Sequence, residues 1–140
     1  VLPTSARELI LSGTALAHMI TLNPDGSPQV SVVWAGLDGD TIITGHFGRY
    51  RKITNLLRDP RIALSFAGGT PLPNGMHPNL VVHGTAEVTE GGAPELVSRL
   101  GTVYVSPDFE YQLPPGPPPG YIIRTTIRRI GGVGPWMDES

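Results

Sequence analysis

Five of the chain's ten cationic side chains, Arg49, Arg51, Lys52, Arg58 and Arg61, fall within the eighteen residues TGHFGRYRKITNLLRDPR. Lys52 is the only lysine in the sequence, and the formal charge of the whole chain is −2. The charge total is close to balanced, so a nucleic-acid partner is not the default reading of this concentration. Glycines 45 and 48 bracket His46 and Phe47, where a strand pattern gives way to a helical one. Such a turn leaves backbone N–H groups unpaired at the positive end of the helix dipole. Arg49 and Lys52, one turn apart, reinforce an anion site there. The bland alternative is a solvated face opposite an apolar stripe. That alternative suits Arg51, Arg58 and Arg61. It suits Lys52 and Asn55 less well, because their spacing sets them beside the apolar positions.

The remaining chemistry-bearing residues divide in the same way. His46 reads either as a donor in the junction or as a surface turn histidine. His18 and His83 lie in strand patterns and read as structural; with His77 they show no metal-ligand spacing, and there are no cysteines, so no metal site is expected. No Ser-His-Asp or Cys-His constellation is suggested. Trp34, at a strand end, reads as core or dimer interface more readily than as a platform for a ring. Trp136, in GGVGPW, has to pack somewhere, and the mouth of a ligand site is the expected place. Tyr121 is a weaker pocket candidate, as are Tyr104 and Tyr111. Period-2 alternation sets Arg124 and Arg128 on one face of the last strand and Arg129 on the other. They read as an exposed strand face or an ion pair with Glu87, with attraction of an anionic ligand tail as the functional alternative.

These residues need elements to carry them. SARELILSG predicts a short helix with Ser5 as N-cap, Glu8 three residues on, and Gly13 as the stop. ALAHMITL and SPQVSVVWAGL flank the turn NPDG, Asp38-Gly39 signals a hairpin, and TIITG follows, giving three strands in meander order. Helical spacing of Tyr50, Ile53, Leu56 and Leu57 predicts a helix from Arg49 to Arg58, ended by Asp59-Pro60. RIALSFAG and LVVHGTAEVT return to strand, the latter with Gly84 at a bulge or a close approach. APELVSRLGTVY reads as helix, QLPPGPPPG as partly polyproline II, and YIIRTTIRRI as the last strand. Six strands with a helix between the third and fourth predict a mainly β (α+β) fold, a small closed or split barrel, with residues 1–140 as one domain. No apolar run approaches the ~18 residues of a membrane span, and the absence of cysteine suits a reducing compartment, so cytoplasm is expected.

The run NPDGSPQVSVVWAGLDGDTIITGHFGRYRKITNLLRDPRIALSF resembles the core of the pyridoxamine 5′-phosphate oxidase-like, split β-barrel superfamily. Within it the resemblance is to actinobacterial flavin/deazaflavin oxidoreductases that use coenzyme F420. DGSPQVSVVW, the small residue ending the third strand, and RKITNLLRDPRIAL carry it, and it continues through VVHGTAEVT to IIRTTIRRIGGVGPW. The resemblance implies a six- to seven-stranded antiparallel split β-barrel of the FMN-binding type with a few short helices. It implies Lys52 as a cofactor phosphate contact, with Thr44, Gly45, His46, Arg49 and Asn55 around it. Gln29, Ser31 and Trp34 would then run beside the ring and ribityl chain. Relatives often carry Ser or Arg two residues before the lysine; Tyr50 stands there in this chain. The resemblance also implies a homodimer with the cofactor at the subunit interface; Trp136 and Tyr121, placed by their own sequence context, are the expected substrate-pocket residues.

Several functions follow as expectations. The first is an F420-dependent reductase passing hydride to an electron-poor enone or quinone, with no catalytic acid or base assigned. The nine-to-one excess of arginine over lysine, typical of GC-rich genomes, favours F420 over FMN. An FMN-dependent oxidase is the alternative, although no Arg-x-His motif follows the last strand as it does in pyridoxamine phosphate oxidases. A non-catalytic flavin, deazaflavin or haem binder is a second class. A small-barrel nucleic-acid binder ranks last, given net charge −2 and few aromatics, so no nucleic-acid partner is expected.

Overall fold

The computed structural model describes residues 2–138. Its elements, in order, are α1 (Thr4–Leu11), β1 (Ala17–Leu22), β2 (Pro28–Val33), β3 (Gly36–Asp38), β4 (Thr41–His46), α2 (Arg51–Arg58), β5 (Arg61–Ala67), β6 (Asn79–Glu90), α3 (Ala93–Tyr104) and β7 (Tyr121–Val133), with a 3-10 turn at Pro135–Asp138. The seven strands run in the order β2-β1-β5-β6-β7-β4-β3, every neighbour antiparallel. The two edge strands, β2 and β3, are separated in sequence by only Trp34 and Ala35. Three peptide steps span at most about 11 Å, so the two edges of the sheet meet at this bend. The sheet therefore closes into a split barrel whose seam is a single continuous piece of chain.

This closure corrects the expected meander. SPQVSVVWAGL is one run in sequence but two strands in space, and the second strand never pairs with TIITG along its whole length; β3 alone does so, over Gly36–Asp38. The Tyr104 hydroxyl holds the bend. It accepts from the Ala35 N–H at 3.1 Å, and lies 3.2 Å from the Ala35 carbonyl and 3.3 Å from the Ala15 carbonyl, either of which takes its proton.

Alternation does the rest. Ala17, Met19, Ile42, Ile62, Leu64, Phe66, Leu80, Val82 and Ile123 all point inward and are buried. Register places them side by side: Met19 against Leu64, Leu64 against Val82, Phe66 against Leu80. Each fully buried side chain of this size contributes about 1.5–3 kcal/mol. Ala6, Leu9 and Ile10 of α1 and Ile53 and Leu56 of α2 pack into the same core. Outside the barrel, α3 lays Leu96 and Leu100 on Ile43, with Trp34, Tyr104 and Ile122 around them.

Local signals held with shifts of one or two residues. The helix expected from Arg49 begins at Arg51, with Tyr50 as N-cap. Its buried face is Ile53, Asn55 and Leu56, whereas Tyr50 and Leu57, read as part of the stripe, are exposed. Helix α1 starts at Thr4 after Pro3, so Ser5 lies inside the helix and is not its cap. The β3–β4 turn is formed by Gly39, at φ 62°, and Asp40. The β6–β7 register shifts between His83 and Gly84, and a Cβ on Gly84 would meet the Thr126 carbonyl oxygen at 2.3 Å. The glycine is thus required where two backbones approach this closely. No described helix is long and apolar enough to cross a membrane.

Tyr104→Phe keeps the ring and removes only the hydroxyl, leaving the buried Ala35 N–H without its partner. It should lower unfolding free energy by about 1–3 kcal/mol, read as an earlier urea midpoint with unchanged slope. An unchanged midpoint would show that the bend is held by something else.

Candidate functional site

A cavity of about 410 Å³ opens at the seam. Leu16 precedes β1, and Val32, Val33 and Trp34 lead into the bend; Gly45, His46 and Phe47 come from the end of β4. Tyr50 and Lys52 come from the start of α2, Val97 and Leu100 from α3, and Tyr111 from the proline-rich segment that follows it. The walls are apolar or aromatic, and the polar groups gather at one end.

Lys52 is the cation at that end. Its ammonium lies 3.3 Å from Ser31 Oγ, to which it donates, and 5.4 Å from the centre of the Tyr50 ring. Burial holds its pKa below the ordinary lysine value, because a charged form loses hydration there. Ser31 and Gln29 point to the inner face of β2, since they pair with the inward residues Met19 and Thr21 of β1. Ser31 reaches Lys52; Gln29 stands further along the same face and does not line the cavity.

His46 is 4 % exposed, and its Nε2 lies 2.8 Å from Thr44 Oγ1, which is itself buried. Burial first, and the Lys52 charge second, push its pKa down to about 3. The imidazole is therefore neutral at physiological pH. Gly45 lets α3 approach β4: a Cβ there would meet Val97 Cγ2 at 3.0 Å.

The other cations of the basic stretch separate from Lys52. Arg61 pairs with Asp59 at 2.7 Å, and Arg58 donates to Asn55 Oδ1 at 3.3 Å and to the Leu22 carbonyl. Arg49 and Arg51 are exposed. Asn55 is 1 % exposed and donates to Thr21 Oγ1 at 3.1 Å and Asn23 Oδ1 at 3.0 Å, fastening α2 to the β1–β2 hairpin. It stands away from the cavity. So does Trp136, which was expected at a pocket mouth. Its indole folds over Gly134, where a Cβ would meet the ring at 2.3 Å, donates to the Gly131 carbonyl at 3.1 Å, and lies in the main core at 2 % exposure. Tyr121 pairs with His46 across β4 and β7 and packs against the same core.

An aromatic cluster was missed from sequence. Trp34 stacks on Tyr104 at 5.6 Å and 9°, and meets Phe109 and Tyr111 edge-on at 6.3 and 6.4 Å; Tyr111 also touches Phe47 at 5.4 Å. One signal was present: Gly101, interior to the helical pattern. A Cβ there would meet the Phe109 ring at 2.6 Å, so the glycine makes room for the aromatic that seats the proline-rich segment. Among the described residues no group of three or more His, Cys, Asp or Glu is placed to hold a metal.

The buried imidazole makes stability depend on pH. Its folded pKa, about 3, lies below the ordinary 6.5, so the unfolded chain binds the extra proton between those values. The His46 contribution is complete above about pH 6.5 and is lost as pH falls toward 3, at up to about 1.4 kcal/mol per pH unit. His46→Gln retains a polar side chain that does not titrate. Denaturant curves at pH 7, 6 and 5 should show the variant gaining on wild type as pH drops; parallel curves would remove His46 from the acid response.

Comparison with known proteins follows this geometry. The chain is similar to a solved F420 reductase, at 25% identity and a TM-score of 0.69 over 89% of this chain and 94% of that one. It is also similar to the conserved hypothetical protein Rv2991 of Mycobacterium tuberculosis (18% identity, TM-score 0.70, 99% and 89% covered). HupZ of Group A Streptococcus shares the fold at 20% identity, with a TM-score of 0.64 and 93% of each chain covered. A search of curated protein sequences finds no match. The model of the pyridoxamine 5′-phosphate oxidase family matches residues 3–134, and the chain belongs to that family.

Proposed function

We propose that the protein is a reductase that binds reduced coenzyme F420 and passes hydride to an electron-poor small molecule of enone or quinone type. The observation that carries this reading is Lys52, the chain's one lysine, half-buried at the polar end of an otherwise apolar and aromatic cavity. A cavity with mostly apolar and aromatic walls and one cationic group suits a planar ring system with an anionic tail, and its volume lies in the range of small-molecule sites. The 25% identity to an F420 reductase favours F420; FMN is the alternative, and an oxidoreductase results either way.

The cofactor supplies the hydride. The chain binds and orients. Lys52 contacts the phosphate, Ser31 holds the ammonium in place, and Arg49 adds long-range attraction. The neutral His46 donates a hydrogen bond from the ring nitrogen that Thr44 does not engage, without adding a charge. Trp34, Phe47 and Tyr111 exclude water from the ring. No side chain is assigned as a catalytic acid; water or a cavity hydroxyl such as Tyr111 delivers the proton. A haem carrier is less well supported, because His18, His77 and His83 are exposed and outside the cavity, and His46 is engaged with Thr44.

A homodimer completes the reading. Leu16, just before β1, and Val30 and Val32, on the outer face of β2, are 45 %, 55 % and 53 % exposed, and Leu16 and Val32 also line the cavity. A second copy seated on this apolar face covers it and closes the open side of the site.

Two measurements test these statements. Titration of tryptophan fluorescence with F420 and with FMN should show tighter binding of F420. Lys52→Ala should weaken that binding by about 10- to 150-fold, or roughly 1.5–3 kcal/mol, with the fold retained; equal binding would place the site elsewhere. Light scattering should give twice the chain mass of 14.9 kDa, and Val30→Asp with Val32→Asp should give a folded monomer with weakened cofactor binding. A wild-type monomer that binds F420 tightly would refute the shared site.

A further inference from the structure

A second cleft lies at the other end of the β4–β7 ladder. β4 accompanies β7 only as far as the Thr41–Thr126 pair. Beyond it, residues 127–133 keep β6 on one side, and among the described residues no strand pairs with them on the other. A cleft of about 310 Å³ runs along this open edge, walled by Leu2 and Pro3 before α1, by Asp40 and Thr41, and by residues 126–130 of β7. His46, at the cofactor end, is five residues from Thr41 along β4, or about 17 Å at ~3.4 Å per residue. The two sites are separate.

The bulge opposite Gly84 decides what this cleft presents. Ile123 and Thr125 point inward, and strict alternation would make Ile127 and then Arg129 follow them into the core. Instead Gly84 pairs with Ile127 and His83 with Arg129, leaving Arg128 as the extra residue. The inward position passes to Ile130, opposite the buried Val82. Arg129 joins the exposed His83 on the outer face, and Arg128 turns the same way, donating from Nε to Thr85 Oγ1 at 3.2 Å. The expectation that Arg129 faces away from Arg124 and Arg128 is thereby corrected. Adjacent arginines that would have been on opposite faces line one cleft.

Neither arginine is neutralised. The one carboxylate among the residues lining the cleft, Asp40, is paired with Arg7, whose other nitrogen donates to the Gly39 carbonyl at 3.0 Å. Asp38 is taken by Arg124 at 3.1 Å, in place of the Glu87 partner expected from sequence. Arg129 has no hydrogen-bond or ion-pair partner among the described residues. Beside this charge lie Leu2, 7 % exposed, and the half-buried Ile127 and Ile130. Two unneutralised guanidinium groups at the end of an apolar wall match an anion with an apolar body. At about 30 Å³ per non-hydrogen atom, near the share of a liquid water, the cleft takes roughly ten atoms.

We propose that this cleft binds a small amphiphilic carboxylate, its headgroup held by Arg128 and Arg129 and its apolar body by Leu2, Ile127 and Ile130. The guanidinium fork fits a carboxylate bidentately, and the open edge of β7 offers backbone N–H groups beside it. The site is independent of the cofactor reading.

The test is an amide NMR titration of the full chain with octanoate, octanamide and acetate. Octanoate should shift the amides of residues 127–130 saturably and leave those of residues 44–52 in place. Octanamide, lacking the charge, and acetate, lacking the body, should each bind about tenfold or more weakly than octanoate. Replacing the exposed pair, Arg128→Gln with Arg129→Gln, should weaken octanoate by about tenfold or more while the rest of the spectrum is kept. The proposal is overturned by equal binding in the double variant, by octanamide or acetate binding as well as octanoate, or by the absence of saturable shifts at residues 127–130.

Discussion

The two-residue bend at Trp34 and Ala35 is the constraint on which the rest of the molecule depends. It takes one run of chain from the β2 edge of the sheet to the β3 edge, and so turns an open sheet into a barrel. A bend in the middle of a strand run breaks its pairing and leaves backbone groups, here those of the buried Ala35, to be satisfied. Tyr104 supplies the partner, reaching from the end of α3 to the Ala35 N–H. Its ring also stacks on Trp34. One side chain therefore secures the seam, docks α3 against the barrel, and fixes the indole that walls the cavity. The site is a consequence of how the barrel closes.

Electrostatics at the seam follow from the same packing. The cavity takes one ammonium partly out of water and keeps the nearest imidazole neutral. Lys52 uses only part of its donor capacity on Ser31, so its burial is poorly compensated within the chain alone. An anion beside it would restore what burial removes, which is the physical basis for the binding role proposed for this lysine. A protonated His46 would add a second positive charge but would also have to be buried. The fold resolves this by holding it against Thr44 as a neutral hydrogen-bonding group. The charge in the cavity is thus a single point, suited to one anionic group at one end of a ligand.

Much of this was legible in the sequence. Period-2 alternation, the turn residues and the helical spacing after Gly48 gave the strands, the helix between β4 and β5, and the basic junction. Gly84 was readable as a bulge because an isolated glycine in a β-branched run has few other uses. What failed was long-range. The break at Trp34 and Ala35 carries no Pro, and the glycine beside it, Gly36, is itself the first residue of β3, so the sequence reads on as one strand. Asn55 sits on the buried side of α2 and looked like a ligand contact, yet its partners lie on β1 and the turn after it, more than thirty positions away in the chain. Trp136 was rightly expected to be sheltered. Its shelter is the core beside α1, opened by the missing side chain of Gly134, and spacing alone could not choose between that and the pocket.

The bulge shows how one local irregularity serves both ends of a strand. β7 needs inward residues at Ile123 and Thr125, where β4 is its neighbour, and again at Ile130, where β4 has ended. Ile130 is an odd number of positions beyond Thr125, so no regular strand can turn both inward. One extra residue does, and the glycine across from it allows the close approach that the extra residue demands. The core is then continuous along the whole strand, and the arginines that a regular strand would have divided, one into the core and one out, are both returned to solvent side by side. Unpaired charge at that edge is therefore built in by the register that completes the core.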